Sequence, residues 1–243
     1  MIKVLNIVLA TKPFLSLLYR KTLNAVVKLP PLNRKRREQW NTTEHFMREN
    51  LAYSKVLVGL NKFEKISGNT PFKLYPGLLA VNIIPHKESI VLHDLQNDGF
   101  FTLDRPTPLN FDQCNFILKN LANYHAIPIV MRHTDKDQLN GLVEDLNEIT
   151  FGDRPNEAFP KIVRKTCDVF LPNLKNNDVV KKVREFDREF INVMRNICIN
   201  STLECDAAIV HGDFWISNLM FKGKVILFNY IIDKNSFVFI INP

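Results

Sequence analysis

Near its C-terminal end the chain reads His211-Gly212-Asp213-Phe214-Trp215-Ile216-Ser217-Asn218, directly behind the apolar run Ala207-Ala208-Ile209-Val210. An apolar run that stops at a glycine reads as a buried strand closed by a tight turn. The polar side chains that follow are therefore delivered to the edge of a core. Two of them carry chemistry, an acid at Asp213 and an amide at Asn218. As a mere capped turn, the segment would pack Trp215 into the core and satisfy His211 with backbone. The other reading has Asp213 accept a hydroxyl proton while Asn218 binds a metal that bridges phosphate groups. His, Gly, Asp, Trp and Asn together behind such a run favour the second reading. A site of that kind also needs a second metal-binding acid and a supporting lobe further on, and little chain follows.

Upstream, Thr22-Leu-Asn-Ala-Val-Val-Lys28-Leu29 is rich in β-branched residues and stops at Pro30-Pro31, which places Lys28 at the end of a strand. From about Arg36 to Leu57 no proline or glycine intervenes. Phe46, Glu49, Asn50, Tyr53 and Leu57 there fall on one side at helical spacing. Glu49 is thus expected on a buried helix face, where a charge needs a partner. A strand lysine pinned by a helix carboxylate can hold the α- and β-phosphates of a nucleotide.

Ser89 to Leu92 reads as a strand leading into His93-Asp94-Leu95 and a turn at Asn97-Asp98-Gly99. Beyond it the pattern becomes helical. Asp112 to Ala126 forms one helix, with Asp112 as its cap and a break at Pro128. A second amphipathic helix covers Asn177 to Ile199 through Val179, Val183, Phe186, Phe190, Met194 and Ile197. The first half is thus strand plus helix and the second mainly helical, with a boundary between Leu95 and Gly99.

Composition narrows the classes. Hydrophobic residues at 46% and charged residues at 23% suit a folded protein, and no stretch is apolar enough to span a membrane. The charge of +7 is dispersed except at Arg34-Lys35-Arg36-Arg37, which reads as a solvated helix face rather than a nucleic-acid patch. Cys114, Cys167, Cys198 and Cys205 lack C-x-x-C spacing and suit reduced thiols in the cytoplasm. The opening run Met1 to Ala10 is interrupted by Asn6 and has no cleavage site, so it does not read as a signal peptide. His125, His133, Asp135 and Asp137 lack the spacing of a metal site.

Taken in order, Val26-Val27-Lys28-Leu29-Pro30, Phe46 to Tyr53 with Glu49, Ile90 to Phe100, Leu121 to Ala126 and His211 to Phe221 resemble the successive blocks of the CHK kinase-like, or ecdysteroid kinase-like, family, relatives of the choline and aminoglycoside kinases. The resemblance covers roughly Leu15 to Lys222. It implies an α+β, two-lobed protein-kinase-like fold: an incomplete β-rich N-lobe over 1–95 with the hinge at its end, and a truncated, mainly helical C-lobe over 96–243 with the catalytic loop at 211–218.

It further implies ATP-dependent phosphorylation of a hydroxyl on a small molecule, with an ecdysteroid-like steroid among the candidates, and Mg2+ as cofactor. By position, Lys28 is the phosphate lysine and Glu49 its partner, Asp213 the catalytic base and Asn218 a magnesium ligand. The hinge that grips adenine through backbone groups spans Val91, Leu92, His93, Asp94 and Leu95.

Three features depart from the family pattern. No glycine precedes Lys28, where the family has a glycine-containing loop over the phosphates; the first glycine is Gly59. His93-Asp94 stands where the family has an acidic pair. In place of a strand ending Asp-Phe-Gln, the chain runs Val225 to Asp233 and on to Pro243. Asp233 is then the second metal ligand, or else the tail is unrelated sequence and Asp233 a turn residue. A tail so apolar, without covering helices, is expected to lower stability. Two other functions remain open: a catalytically inactive kinase-like protein that binds a ligand without turnover, and a metal-dependent hydrolase using His211 and Asp213 as ligands.

Overall fold

A computed structural model describes residues 2–11, 19–68, 75–103, 108–146, 151, 158–200, 208–222 and 225–228. The sheet is four-stranded and antiparallel, in the order β1-β2-β4-β3. Its strands are β1 (Ile2–Thr11), β2 (Tyr19–Lys28), β3 (Leu78–Asn82) and β4 (Ser89–His93). Burial alternates along β4, with Ile90 and Leu92 turned to the core as the period of two requires. Lys28 is the register partner of Ile90. Cross-strand partners share a face, so the lysine projects to the side of the sheet that the helices cover.

The expected helix from Arg36 to Leu57 is broken. Helix α1 (Arg34–Gln39) ends at Trp40, and Asn41 takes a left-handed conformation (φ 42°) before α2 (Thr42–Leu51). Asparagine tolerates that region, so the chain turns there without a glycine. The helical path then runs through a π-helical turn (Ala52–Val56) into α3 (Leu57–Ile66). Phe46, Glu49, Tyr53 and Leu57 are all buried, as their spacing predicts. Arg37 departs from the solvated face expected of the basic run: it is buried and ion-paired with Glu88.

After β4 a 3-10 turn (Leu95–Asp98) ends at Gly99, whose φ of 83° suits glycine. Helix α4 (Phe111–Thr134) continues past Pro128, contrary to the break expected there. The proline forfeits one backbone bond, but Tyr124, Ile127, Pro128 and Met131 are buried together, and that packing holds the helix. Its cap is Asn110 rather than Asp112. The Asn110 side chain accepts from the Gln113 N–H, and Gln113 returns a bond to the Asn110 N–H, a reciprocal capping box.

Helices α5 (Lys136–Val143), α6 (Ala158–Phe170) and α7 (Asn177–Asn200) follow, then a hairpin of β5 (Leu219–Lys222) and β6 (Val225–Phe228). Phe151, Phe159, Phe190 and Met194 pack together around Cys198. Val179, Phe186 and Ile197, on the same predicted stripe of α7, stay exposed. The main core is one apolar cluster that draws Phe46, Tyr53, Leu60, Ile90 and Leu92 from the first half together with Ile127, Met131, Leu139, Leu219 and Phe221 from the second. At Gly59 the backbone comes so close to α5 that an added Cβ would lie 2.3 Å from Leu142 Cδ2.

Candidate active site

Lys28 and Glu49 meet. Lys28 Nζ donates to Glu49 Oε2 at 2.7 Å, and both side chains are buried. The lysine comes from the end of the central strand β2 and the glutamate from the core face of α2. The Phe46 ring, one turn before Glu49, lies 5.8 Å from the ammonium. His45 is on the same helix four residues before Glu49 and is also buried. Burial, then the positive charges of Arg48 and Lys28, push its imidazole down to about 4, so it stays neutral near pH 7 and adds no charge beside the ammonium. Removing an ion pair from water is costly. A pair kept there nonetheless fixes where one cation points.

The second cluster lies on the loop after Ala208, Ile209 and Val210, which are buried as expected but form no strand. Gly212 takes φ 82°, and the Asp213 N–H then donates to Nδ1 of the buried His211 at 3.2 Å. That bond assigns the ring proton to Nε2. Asn218 Nδ2 donates to the Asp213 carbonyl at 2.9 Å and to Asp213 Oδ2 at 2.8 Å. Acid and amide are thereby fixed to each other, and Oδ1 is the atom the amide has left to offer a cation. Trp215 does not pack into the core, as it would in a capped turn; it is 56% exposed, and Phe214 packs there instead.

The hinge-like stretch is mostly sheet. Val91, Leu92 and His93 are β4 residues paired to β2, and Val91 and Leu92 are also paired to β3. The His93 N–H donates to the Gly77 carbonyl and the Asp94 N–H to the Asn24 carbonyl. The Asp94 carboxylate is buried and accepts from the Gln96 N–H and Asn97 Nδ2, so it builds the turn. Asp94 is the first residue of the stretch past the strand, held to β2 by its N–H alone, and Leu95 begins the 3-10 turn.

Sequence reasoning did not foresee how this turn is tied to the catalytic-type loop. Phe101 and Phe221 exchange backbone hydrogen bonds at 2.9 and 2.8 Å. Lys222 Nζ donates to the Asp98 carbonyl and lies 5.5 Å from the Phe100 ring. Only the apolar character of β5 and the glycine at position 99 hinted at such a contact.

Asp233 lies outside the described residues. Among those described, no three His, Cys, Asp or Glu side chains gather as a metal site. Asp135, weighed with His125, His133 and Asp137 for that role, caps α5 by accepting from the Gln138 N–H. The donor available in the loop, the Asn218 amide oxygen, is a hard oxygen of the kind Mg2+ takes, and Mg2+ keeps few protein ligands and several waters.

A sheet lobe that buries a strand lysine on a helix carboxylate, followed by a helical lobe carrying an Asp-x4-Asn loop, is a two-lobed kinase-like arrangement. The chain belongs to the Ecdysteroid kinase-like family, whose model matches residues 19–226. No curated protein and no solved structure gives a match. Membership makes it a kinase-like protein of a family of small-molecule phosphotransferases. No helix among the described residues is long and apolar enough to cross a membrane.

Proposed function

We propose that the chain is an ATP-dependent phosphotransferase that moves the γ-phosphoryl group to a hydroxyl of a small molecule, with steroid-like alcohols a class worth testing first. One observation carries the reading: Asn218 is bonded to both the carbonyl and the carboxylate of Asp213, which holds an acid and a cation-binding amide in one geometry.

In this mechanism the Asp213 carboxylate accepts the proton of the acceptor hydroxyl, whose oxygen attacks the γ-phosphorus as the bond to the β-phosphate oxygen breaks. The products are a phosphate ester and ADP. Lys28, aimed by Glu49, neutralises the α- and β-phosphates. Asn218 and Asp233 would hold Mg2+, which supplies charge neutralisation on the phosphate oxygens when bound. Adenine would lie against the backbone of Val91 to Leu95. With the His93 and Asp94 N–H groups engaged in the sheet, its grip falls to the part of the stretch that begins at Leu95. We place the lobe boundary after Leu95, 1–95 against 96–243, and the protein in the cytoplasm, where its cysteines stay reduced.

A second reading, a kinase-like binder without turnover, draws on the connection between β1 and β2, which contains no glycine to cover the phosphates. Calorimetry with ATP and Mg2+, followed by ADP release across a panel of small alcohols and steroids, separates the two. Alcohol-dependent ADP release that D213N abolishes is expected. Binding without release would favour the silent form, and no binding would overturn both.

A further inference from the structure

Away from the Lys28–Glu49 pair, three side chains from separate segments converge. Arg37 Nη2, on α1, donates to Glu88 Oε1 at 2.5 Å, and Thr43 Oγ1, in the first turn of α2, donates to the same oxygen at 2.7 Å. Arg37 Nη2 also reaches Thr43 Oγ1 at 3.3 Å. Glu88 is only 1% exposed. Its burial would raise the carboxyl. Hydrogen bonds from Thr43, its own N–H, Arg37 and the backbone at His86 outweigh that and hold it down to about 2, so it is ionised throughout the neutral range.

The placement of this cluster is informative. Asn41, the residue before α2, makes no side-chain capping bond, so the first turn lacks the usual anchor. It is gripped from the side instead, through Thr43. Glu88 stands two residues before Ile90, the register partner of Lys28, and Thr43 stands six residues before Glu49 on the same helix. The contacts therefore close a ring: Lys28 to Glu49, along α2 to Thr43, across to Glu88, and along β4 to Ile90 beside Lys28. A buried ion pair is weak evidence of stabilisation, and fixing one arrangement is its better-attested use.

We propose that Glu88, gripped by Arg37 and Thr43, is a positioning residue that clamps α2 to the sheet and so keeps Glu49 on Lys28. Its bearing on nucleotide handling rests on the function proposed above, but the coupling itself is readable without nucleotide.

The test is amine-directed acylation of the full chain, with the rate at Lys28 read by mass spectrometry against exposed Lys181 on α7. E88Q should accelerate Lys28 about tenfold, the size expected when coupled contacts are uncoupled. T43V, which keeps the ion pair and covers the case that E88Q does not fold, should accelerate it less. In an E49Q background E88Q should add nothing further. L139A, a core change on α5, should lower the melting temperature without selectively exposing Lys28. Unchanged Lys28 rates in E88Q and T43V would overturn the proposal. So would an equal factor in the E49Q background, or an equal acceleration by L139A. Protection of wild-type Lys28 by ATP with Mg2+ is a separate arm: its absence would sink the nucleotide reading and leave the clamp standing on the E88Q and T43V rates.

Discussion

Lys28 and Glu49 reach each other from different layers, the ammonium from the end of a central strand and the carboxylate from the helix packed over it, 2.7 Å apart. Because Lys28 sits opposite Ile90 in the register, the same apolar face that packs the helix also receives the charge. A one-residue slip of β2 would turn the lysine to the other side of the sheet.

Removing one partner should therefore be worse than removing both. K28M takes the ammonium away from a nearly inaccessible carboxylate and is expected to cost about 3–5 kcal/mol in a urea melt, whereas K28M combined with E49M recovers much of it. A double variant no more stable than K28M would contradict this account of the pair.

His45 makes stability depend on pH. Its folded value, about 4, lies below the ordinary 6.5, so the unfolded chain binds the proton more readily between those values. Stability is then full above pH 6.5 and falls as the pH drops towards 4, by on the order of 3 kcal/mol from this group. Urea melts of wild type and H45Q across pH 7.5 to 4.5 check it: the variant should lose distinctly less over the upper part of that range. Below pH 4.5 Glu88 adds a second loss, because its depressed carboxyl contributes stability only while ionised.

On the loop, D213N keeps the shape of the side chain but removes the base of the proposed mechanism. ADP release should fall about 10²–10⁴-fold while ATP still binds. N218A should lower turnover too, and should raise the Mg2+ concentration needed for half-maximal rate, which D213N does not. Parallel titrations of metal against rate distinguish the two.

Gly59 is a packing constraint between α3 and α5. G59A drives a Cβ towards the end of the Leu142 side chain, which can yield only in part, and should cost about 1–3 kcal/mol. Combining it with L142A should cost less than the two single changes summed, as a thermal-melt cycle would reveal.

What could be read in advance was local. Lys28 before Pro30-Pro31, the buried spacing of Glu49, and the turn at Gly212 each carry their signal within a few residues, and the structure has the strand, the helix face and the turn at those places. The contacts with no local signal join distant positions. Nothing around Arg37 announces Glu88, so a basic run looked solvated although one of its members is buried. Pro128 looked like a helix end because its own backbone penalty is visible in the sequence, whereas the burial of Tyr124 and Met131 that outweighs it is not. The break at Trp40 and Asn41 was hidden because neither glycine nor proline marks it. On the loop, the bonds from Asn218 to Asp213 could not be read from spacing, and Asp233 lies beyond the described residues.

The apolar cluster that runs from Ile90 and Leu92 through Leu60 to Met131 and Leu139 draws on both halves, so neither half is expected to keep its core without the other. Cutting the chain between Leu95 and Gly99 would expose the faces of α2, α3 and α4 to water at once. Each half would then be an aggregation-prone fragment rather than a domain, and the two should melt as one cooperative unit.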